Sequence, residues 1–488
     1  MGSKHELHSK KSYKPFSNHS FLKFLDKLKN QVNEIWKTVF CHLPSSNVNE
    51  LFKEHLIIRD FLLQIERMQN TLSRKTGSDL PYVEQRNAAL SEFLEWASKV
   101  GIVHHLVKIT YVEEIDGFGL SSSDFVTIGS ELLKVPRKAI LSWDQARKSY
   151  FLKSNLIFQY LRPSPLFEEA LLLYRNIARQ FTHFLLEIIY SDEFRHERKK
   201  SREESKMEPI FADSPLTAVN FKFDLYRWSV ACISTRINMI PSAVYKSDMG
   251  QPRMVCLYKN FTLFPVPALI PFLDMANHSY TDEDFYEAVH FSDETDCAVI
   301  IALRNYEPSE LVNIFYGWRN NRDFLLHNGF VPMENIRDTY KLKIGLPKSK
   351  RESERMDLFH SLGFVLDSTI FTFEVKAFEP YFHRSLFEFV QIYVLDEIPS
   401  NSEEIKKFLN SSNNIRKAWN FLHDRFSLLC ASYGEVSSLV CTVHQNSSEC
   451  SKSIDCSRKS MIATLKSSEI KILRKAEIFC GEQLLKMT

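Results

Sequence analysis

The stretch from Pro265 to Phe330 restricts the fold more than any other part of this chain of 488 residues. An apolar approach, Leu269-Ile-Pro-Phe-Leu273, ends in a polar knot of Asp274, Asn277 and His278. The run Cys297 to Leu303 reads as a strand, and Glu307-Pro308-Ser309-Glu310 reads as a turn. A second apolar strand delivers Tyr316 at its end, where Gly317 lets the chain bend. The plain alternative is that Asn277 and His278 cap a helix while Tyr316 fills a core.

Two motifs in this stretch, Asp274-Met-Ala-Asn-His278 and Ile314-Phe-Tyr-Gly-Trp-Arg-Asn-Asn321, are joined by His327-Asn-Gly-Phe330. Together they resemble the closing half of a SET-domain methyltransferase. Either motif alone is weak; their combination, with the other family motifs in order, carries the resemblance. It implies an α+β fold, a β-rich knotted SET core split by a helical insert and followed by an all-helical C-terminal domain. The implied division is an N-terminal tail and helices over 1–75, a SET domain over 76–335 with its insert at about 141–206, and a helical substrate-binding domain over 336–488. That last part is similar to the domain first associated with RuBisCO large-subunit methyltransferases.

Composition narrows the partners. Hydrophobic residues make up 44% of the chain and the formal net charge is +2, so a packed protein is expected, without the charge that binds polyanions such as nucleic acid. No run approaches the roughly 18 apolar residues that span a bilayer. Met1 to Ser20 is polar and basic without a signal-peptide core, which leads to the expectation of a cytoplasmic or also nuclear protein; a monomer is expected. The nine cysteines include no Cys-x-x-Cys pair, and Cys450 and Cys456 are poorly spaced for zinc, so no metal is expected. The cysteine-rich zinc segment that follows many histone-directed SET domains is not found.

In chain order, helical spacing appears at Phe21, Phe24, Leu25 and Leu28, and again at Ile57, Phe61, Leu62 and Ile65. Arg86 precedes Phe93-Leu-Glu-Trp96-Ala-Ser. Asp116-Gly-Phe-Gly-Leu120 lies between strand-like Val107–Tyr111 and Phe125–Leu133, and its glycines allow close approach of backbone to a ligand. A hairpin turn is the simpler reading. Residues 141 to about 192 read as helices, from Trp143 and Ala146 to Asn176-Ile-Ala-Arg-Gln-Phe181. This resembles the family's insert, although shorter by several tens of residues. Arg195 to Lys206 alternates in charge, as an exposed helix end or linker does. Arg236 and Asn238 fall at what reads as a helix end before Pro241. From Asp338 onward the pattern is helical almost throughout.

The resemblance also assigns roles. The cofactor would be S-adenosylmethionine, held by Arg86, Asp116, Gly117, Phe118, Arg236, Asp274, Met275, Ala276, Asn277, His278, Asn328, Gly329 and Phe330. Methyl transfer is an in-line displacement at a sulfonium, so alignment supplies most of the catalysis. An arginine fork suits the cofactor carboxylate, and Arg86 and Arg236 are the candidates. Tyr316 would stand at the transfer channel and position the incoming nitrogen. Thr235-Arg236-x-Asn238-x-Ile-Pro241 and Ala178-Arg179-Gln180 are similar to the actin-directed, histidine-modifying branch, where the amide at Asn238 holds the target imidazole. The implied function is formation of tele-methylhistidine in actin, with Asn238, Leu273, Arg179 and Arg319 meeting the protein substrate. A histidine of ordinary pKa about 6.5 is mostly neutral at pH 7 and already nucleophilic. Leu273 stands where that branch carries tryptophan, and a smaller wall could admit an alkyl amine. Lysine methylation on the same scaffold is therefore the alternative, and a non-catalytic peptide-binding protein a second one.

Overall fold

The structure, a computed structural model, describes residues 18–72, 82–115, 117–142, 166–198, 209, 211, 214–241, 265–279, 288–346, 352–361, 363–364, 370–396, 402–434 and 454–487. They form two compact units, one from residues up to 72 with 168–231, the other from 82–142 and 232 onward.

The first unit is helical. Helix α1, Asn18–Phe40, buries Leu25, Leu28, Val32 and Ile35, and α2, Val48–Asn70, buries Leu51, Ile58, Leu62 and Ile65. Spacings of three, four and seven residues put each set on one stripe, which a helix must cover with another element. Asn47 caps α2 by accepting the N–H of Asn49 at 2.9 Å. Helix α3, Tyr82–Lys99, belongs to the second unit, and α4, Leu166–Arg198, is a helix of 33 residues. Phe181 of α4 packs on Phe221, Phe223 and Tyr226, with ring centroids 5.1 to 5.7 Å apart. Buried Arg175 of α4 meets the Glu54 carboxylate and reaches the carbonyls of His42 and, at 3.3 Å, Thr38. A cation at the carbonyl end of α1 is favourable.

Two sequence expectations change here. The charge run beginning at Arg195 is not all solvated face: Arg195 pairs with Asp192 at 2.7 Å and donates to the carbonyls of Ser214 and Leu216 at 2.8 and 2.7 Å. It fastens the loop after α4, a role that depends on contacts about twenty residues away and so leaves no local pattern. The helices expected from Trp143 and Ala146 lie outside the described residues.

Helix α5, Phe223–Arg236, leads into the strands of the second unit. In chain order these are β1 Val107–Val112, β2 Gly117–Ser122, β3 Glu131–Pro136, β4 Leu141–Ser142, β5 Asn238–Pro241, β6 Pro265–Leu269, β7 Val289–Ser292, β8 Cys297–Ile301, β9 Leu311–Val312, β10 Thr339–Gly345 and β11 Ile370–Lys376. Three small antiparallel sheets, ordered β1-β2-β9, β3-β8-β7 and β4-β6-β5, surround a core that includes Leu120, Val135, Ala268, Phe272, Leu273 and Val312. Gly-Phe-Gly therefore runs along β2 rather than forming a hairpin turn. Asn238 opens strand β5 instead of closing a helix, which ends at Arg236. β5 is a sheet edge, where Pro241 can sit without a donor N–H.

The C-terminal part is not all-helical. β10 and β11 pair antiparallel in the register Leu342↔Phe373, and Tyr340, Leu342 and Ile344 are buried while Lys341 and Lys343 alternate with them. Period-two alternation is what a half-buried strand requires. Around this hairpin pack α6 Glu352–Ser361, α7 Arg384–Tyr393, α8 Ser402–Leu409, α9 Ser412–Ser432 and α10 Ile454–Leu485, over a second core centred on Phe359, Phe389, Leu422 and Phe426.

Candidate active site

Two loop segments are zipped together at the centre of the second unit. Ile314 donates its N–H to Asn277 at 2.8 Å and accepts that of Ser279 at 3.1 Å, a parallel bridge between Ile314 and His278. The turn before it is sharp. Phe272 has φ 72°, a left-handed conformation costly for a bulky side chain, and its buried ring lies 4.5 Å from that of His104. A single 3₁₀ turn, Leu273–Met275, follows and ends with the N–H of Ala276 on Leu273 at 2.9 Å.

The zipper places the polar residues. His278 Nδ1 accepts the N–H of Tyr316 at 3.2 Å, and burial pushes its pKa down to about 4, so the ring is neutral and an acceptor on that side. Tyr316 donates its hydroxyl to the Ala276 carbonyl at 2.7 Å. Burial pushes this phenol up to about 12, so it stays protonated. Asn277 donates to the Phe118 carbonyl at 3.2 Å and lies over Gly119, where a Cβ would stand 2.8 Å from the amide nitrogen. The close approach on β2 is thus made at Gly119, by a side chain of the protein itself, whereas a Cβ at Gly117 would meet nothing closer than 3.6 Å.

A cavity of about 350 Å³ opens beside the zipper. Its polar wall carries Arg236, Asn238, Asp274, Tyr316, Arg319 and Asn328; Leu273, Ala276, Ile240, Val289, Phe291 and Ile314 supply apolar lining. Asn238 donates from Nδ2 to the Arg236 carbonyl at 3.1 Å and to Asp274 at 3.4 Å. A carbonyl only accepts, so the nitrogen must face Arg236, and Oδ1 is left as the acceptor that Asn238 offers. Burial raises the Asp274 carboxyl to about 8 against the pull of the Ile270 backbone and of Arg236, so it is largely neutral at pH 7. Arg319 donates to Asn328 at 2.6 Å.

The candidates read from sequence therefore divide. Arg236, Asn238, Leu273, Asp274, Ala276, Tyr316, Arg319 and Asn328 share the cavity wall. Asn277, His278 and Phe118 lie immediately behind it in the zipper, and Phe330 packs on Tyr316 with ring centroids 6.4 Å apart. Gly329 is left-handed, φ 82°, and closes the turn that carries Asn328. Met275 lies in the 3₁₀ turn and Gly117 at the start of β2. Arg179 is on α4, in the other unit. Arg86 lies on α3 with its side chain outside the described residues, and Asp116 also lies outside them. Sequence reasoning missed Gly119, although the second glycine of Gly-Phe-Gly signalled it, and Phe272, whose backbone no residue type announces. Among the described residues no group of three His, Cys, Asp or Glu could hold a metal ion, and no helix is long and apolar enough to cross a membrane.

No model of a known protein family matches the chain. It is 24% identical over 462 residues to an actin-histidine N-methyltransferase of Gallus gallus, covering 80% of this chain and 68% of that protein. It is 23% identical over 506 residues to an actin-histidine N-methyltransferase of Plecturocebus moloch, covering 89% and 74%. Among solved structures it is similar to the SET domain of LSMT bound to lysine and AdoHcy, with TM-score 0.57 and 14% identity over 82% of this chain and 92% of that one. A structure of Rubisco LSMT bound to sinefungin and monomethyllysine gives TM-score 0.57 at 15% identity, over 82% and 93%. The chain has the SET-domain fold.

Proposed function

We propose that this chain is an S-adenosylmethionine-dependent protein methyltransferase that forms tele-methylhistidine in actin. The observation that carries the reading is the amide of Asn238, turned by the Arg236 carbonyl so that Oδ1 serves the cavity shared with Tyr316. An acceptor there suits the N–H of a neutral imidazole and leaves the other ring nitrogen as the nucleophile. The names of the relatives from Gallus gallus and Plecturocebus moloch support both the residue and the protein modified.

The residues present fit the cofactor. Acceptors converge behind and on the wall, the carbonyls of Phe118 and Ala276 and the hydroxyl oxygen of Tyr316, and a guanidinium stands at Arg236. Arg236 would hold a carboxylate, while Asn277, Asp274 and the 3₁₀ turn would line the rest of the cleft. S-adenosylmethionine supplies an electrophilic methyl on a sulfonium and leaves as a neutral thioether. Asn238 orients the imidazole and fixes its tautomer. Tyr316 keeps its proton on Ala276 and so presents oxygen lone pairs, which favour a passing methyl or N–H group without forming a bond to carbon. The apolar lining excludes water, which would otherwise solvate the nucleophile. Arg319 would grip acidic residues flanking the target. Cys41, Cys297, Cys430 and Cys480 are free thiols, which suits the reducing cytoplasm or nucleus. We take the protein to act as a monomer.

A second reading, lysine methylation, is favoured by one observation: Leu273, fully buried, forms part of an apolar wall that an alkyl stem could line. Against it, a lysine must lose a proton at a cost of about 4.6 kcal/mol at pH 7. The test is transfer from labelled S-adenosylmethionine to purified actin and to actin lacking the accepting histidine. Label on the first and none on the second is expected. Equal labelling of both would overturn the histidine assignment.

A further inference from the structure

The cavity wall that bears Arg319 and Asn328 is fastened from behind by a buried polar cluster that does not itself touch the cavity. Asn321 is 1% exposed and Asp338 4%. A carboxylate buried this far is costly unless hydrogen bonds replace its water. Asp338 has three such bonds. Oδ1 accepts the N–H of Asn321 at 2.8 Å and of Thr339 at 3.0 Å, and Oδ2 accepts the hydroxyl of Ser468 on α10.

From Asp338 the bonds run to the cavity wall by two routes. Asn321 is held at its backbone by Asp338 and at its amide by Ser468, 3.3 Å away. Its Oδ1 accepts from Asn335 at 2.9 Å, and Asn335 spends its other N–H on the Arg319 carbonyl, also at 2.9 Å. The second route runs forward along the chain. Asn320 accepts the N–H of Asp323 at 2.8 Å and starts a turn that continues as the π-helical segment Phe324–Asn328. Such π-helical turns are rare overall and frequent at functional sites. Asn328, at its end, meets the Arg319 guanidinium at 2.6 Å. Phe324, in its middle, packs against the His278 ring with centroids 4.9 Å apart.

We propose that Asp338 is a positioning residue of the transfer site: anchored on α10 by Ser468, it sets the Asn320–Asn328 turn and thereby Arg319 and Asn328 on the cavity wall. The proposal rests on the methyltransferase reading above. It makes α10 part of the substrate site, although no described residue of α10 lines the cavity. The cluster fixes where Arg319 points, so disturbing it acts on capture of the protein substrate more than on the transfer step.

The test uses the full chain with Asp338→Ala, Asp338→Asn and Ser468→Ala. Steady-state methyl transfer and hydrogen–deuterium exchange over residues 319–328 are both read. Asp338→Ala is expected to raise KM for the protein substrate about tenfold or more while kcat stays within about threefold. Asp338→Asn keeps an oxygen for both backbone N–H groups and should restore KM to within about threefold of the parent. Ser468→Ala should lie between them, and it carries the test with Asp338→Asn if Asp338→Ala does not fold. Faster exchange over 319–328 with α9 unchanged is expected for Asp338→Ala and Ser468→Ala. Turnover that falls only in step with the folded fraction, at constant KM, would overturn the proposal, as would unchanged exchange. If the parent protein transfers no methyl group, the methyltransferase reading fails, and the exchange result alone decides whether Asp338 positions the turn.

Discussion

Tyr316 and Asn238 face one cavity with opposite commitments: the phenol has spent its donor on Ala276, and the amide has spent its donors on Arg236 and Asp274. Each therefore offers oxygen. Replacing Tyr316→Phe removes an oxygen at the transfer channel and should lower kcat by about a hundredfold, the scale of losing one preorganised polar group, with cofactor affinity little changed. Stopped single-turnover transfer and calorimetry of cofactor binding check the two halves. Asn238→Leu keeps the size and removes the acceptor, and histidine transfer should drop at least about tenfold for the lost hydrogen bond to a bound imidazole. Full retention of histidine activity would refute the pocket assignment. Both residues were legible in the sequence because each ends or begins a motif, Ile-Phe-Tyr-Gly and Thr-Arg-x-Asn. What sets their orientation was not. The Arg236 carbonyl, the Ala276 carbonyl and the left-handed Phe272 are backbone features, fixed by tertiary packing and invisible to residue type.

At the level of elements, β2 and the zipper depend on a missing side chain. A methyl group at residue 119 would press on Asn277 and on Val112, 2.8 and 3.0 Å away. Gly119→Ala should therefore cost about 1–3 kcal/mol of stability, as overpacking does, and weaken cofactor binding by displacing Asn277. Urea unfolding and cofactor titration would show it; an unchanged protein would mean that Asn277 relocates freely. The strands β1 and β8 could be read from their apolar runs and flanking turns, whereas β2, whose two glycines read as a turn, could not. The β10–β11 hairpin could not be read the same way, because its seven-residue strands sit among helices and the longer helical period dominated the window. Its alternation, Tyr340, Leu342 and Ile344 against Lys341 and Lys343, was present all the same. Leu342, fully buried between Phe373 and the second core, should cost about 2–5 kcal/mol when cut to alanine. Arg195 shows the reverse case, a residue whose local charge pattern reads as solvent-facing while a loop sixteen residues on recruits it.

For the whole molecule, buried His55, His278 and Asp274 are strongly shifted between acid and neutral pH and give stability a pH profile. His55 and His278 have folded pKa values near 4 against an ordinary 6.5, so their contribution is complete above pH 6.5 and is lost as pH falls toward 4. Asp274 is raised from 3.8 to about 8, so its contribution is present at low pH and is lost as pH rises through 8. At acid pH the two imidazoles work against Asp274 and Asp338, whose carboxyl burial also raises, and above 6.5 the loss at Asp274 continues after the imidazole contribution is complete. The melting temperature should peak near pH 6.5, and Asp274→Asn should flatten the decline toward pH 8.5. A constant difference between variant and parent across that range would contradict a buried, neutral Asp274. The SET core and its closing motifs were the legible part of the molecule, since they lie in continuous stretches. The pairing of α1 and α2 with α4, and the reach of α10 to Asp338, were not legible, since they join residues more than a hundred positions apart. The central claim is histidine chemistry in actin, and acid hydrolysis of actin labelled by this protein tests it most directly. Chromatography of the hydrolysate should recover the label as tele-methylhistidine. Label recovered as methyl-lysine would contradict the account and assign the apolar wall around Leu273 to an alkyl amine.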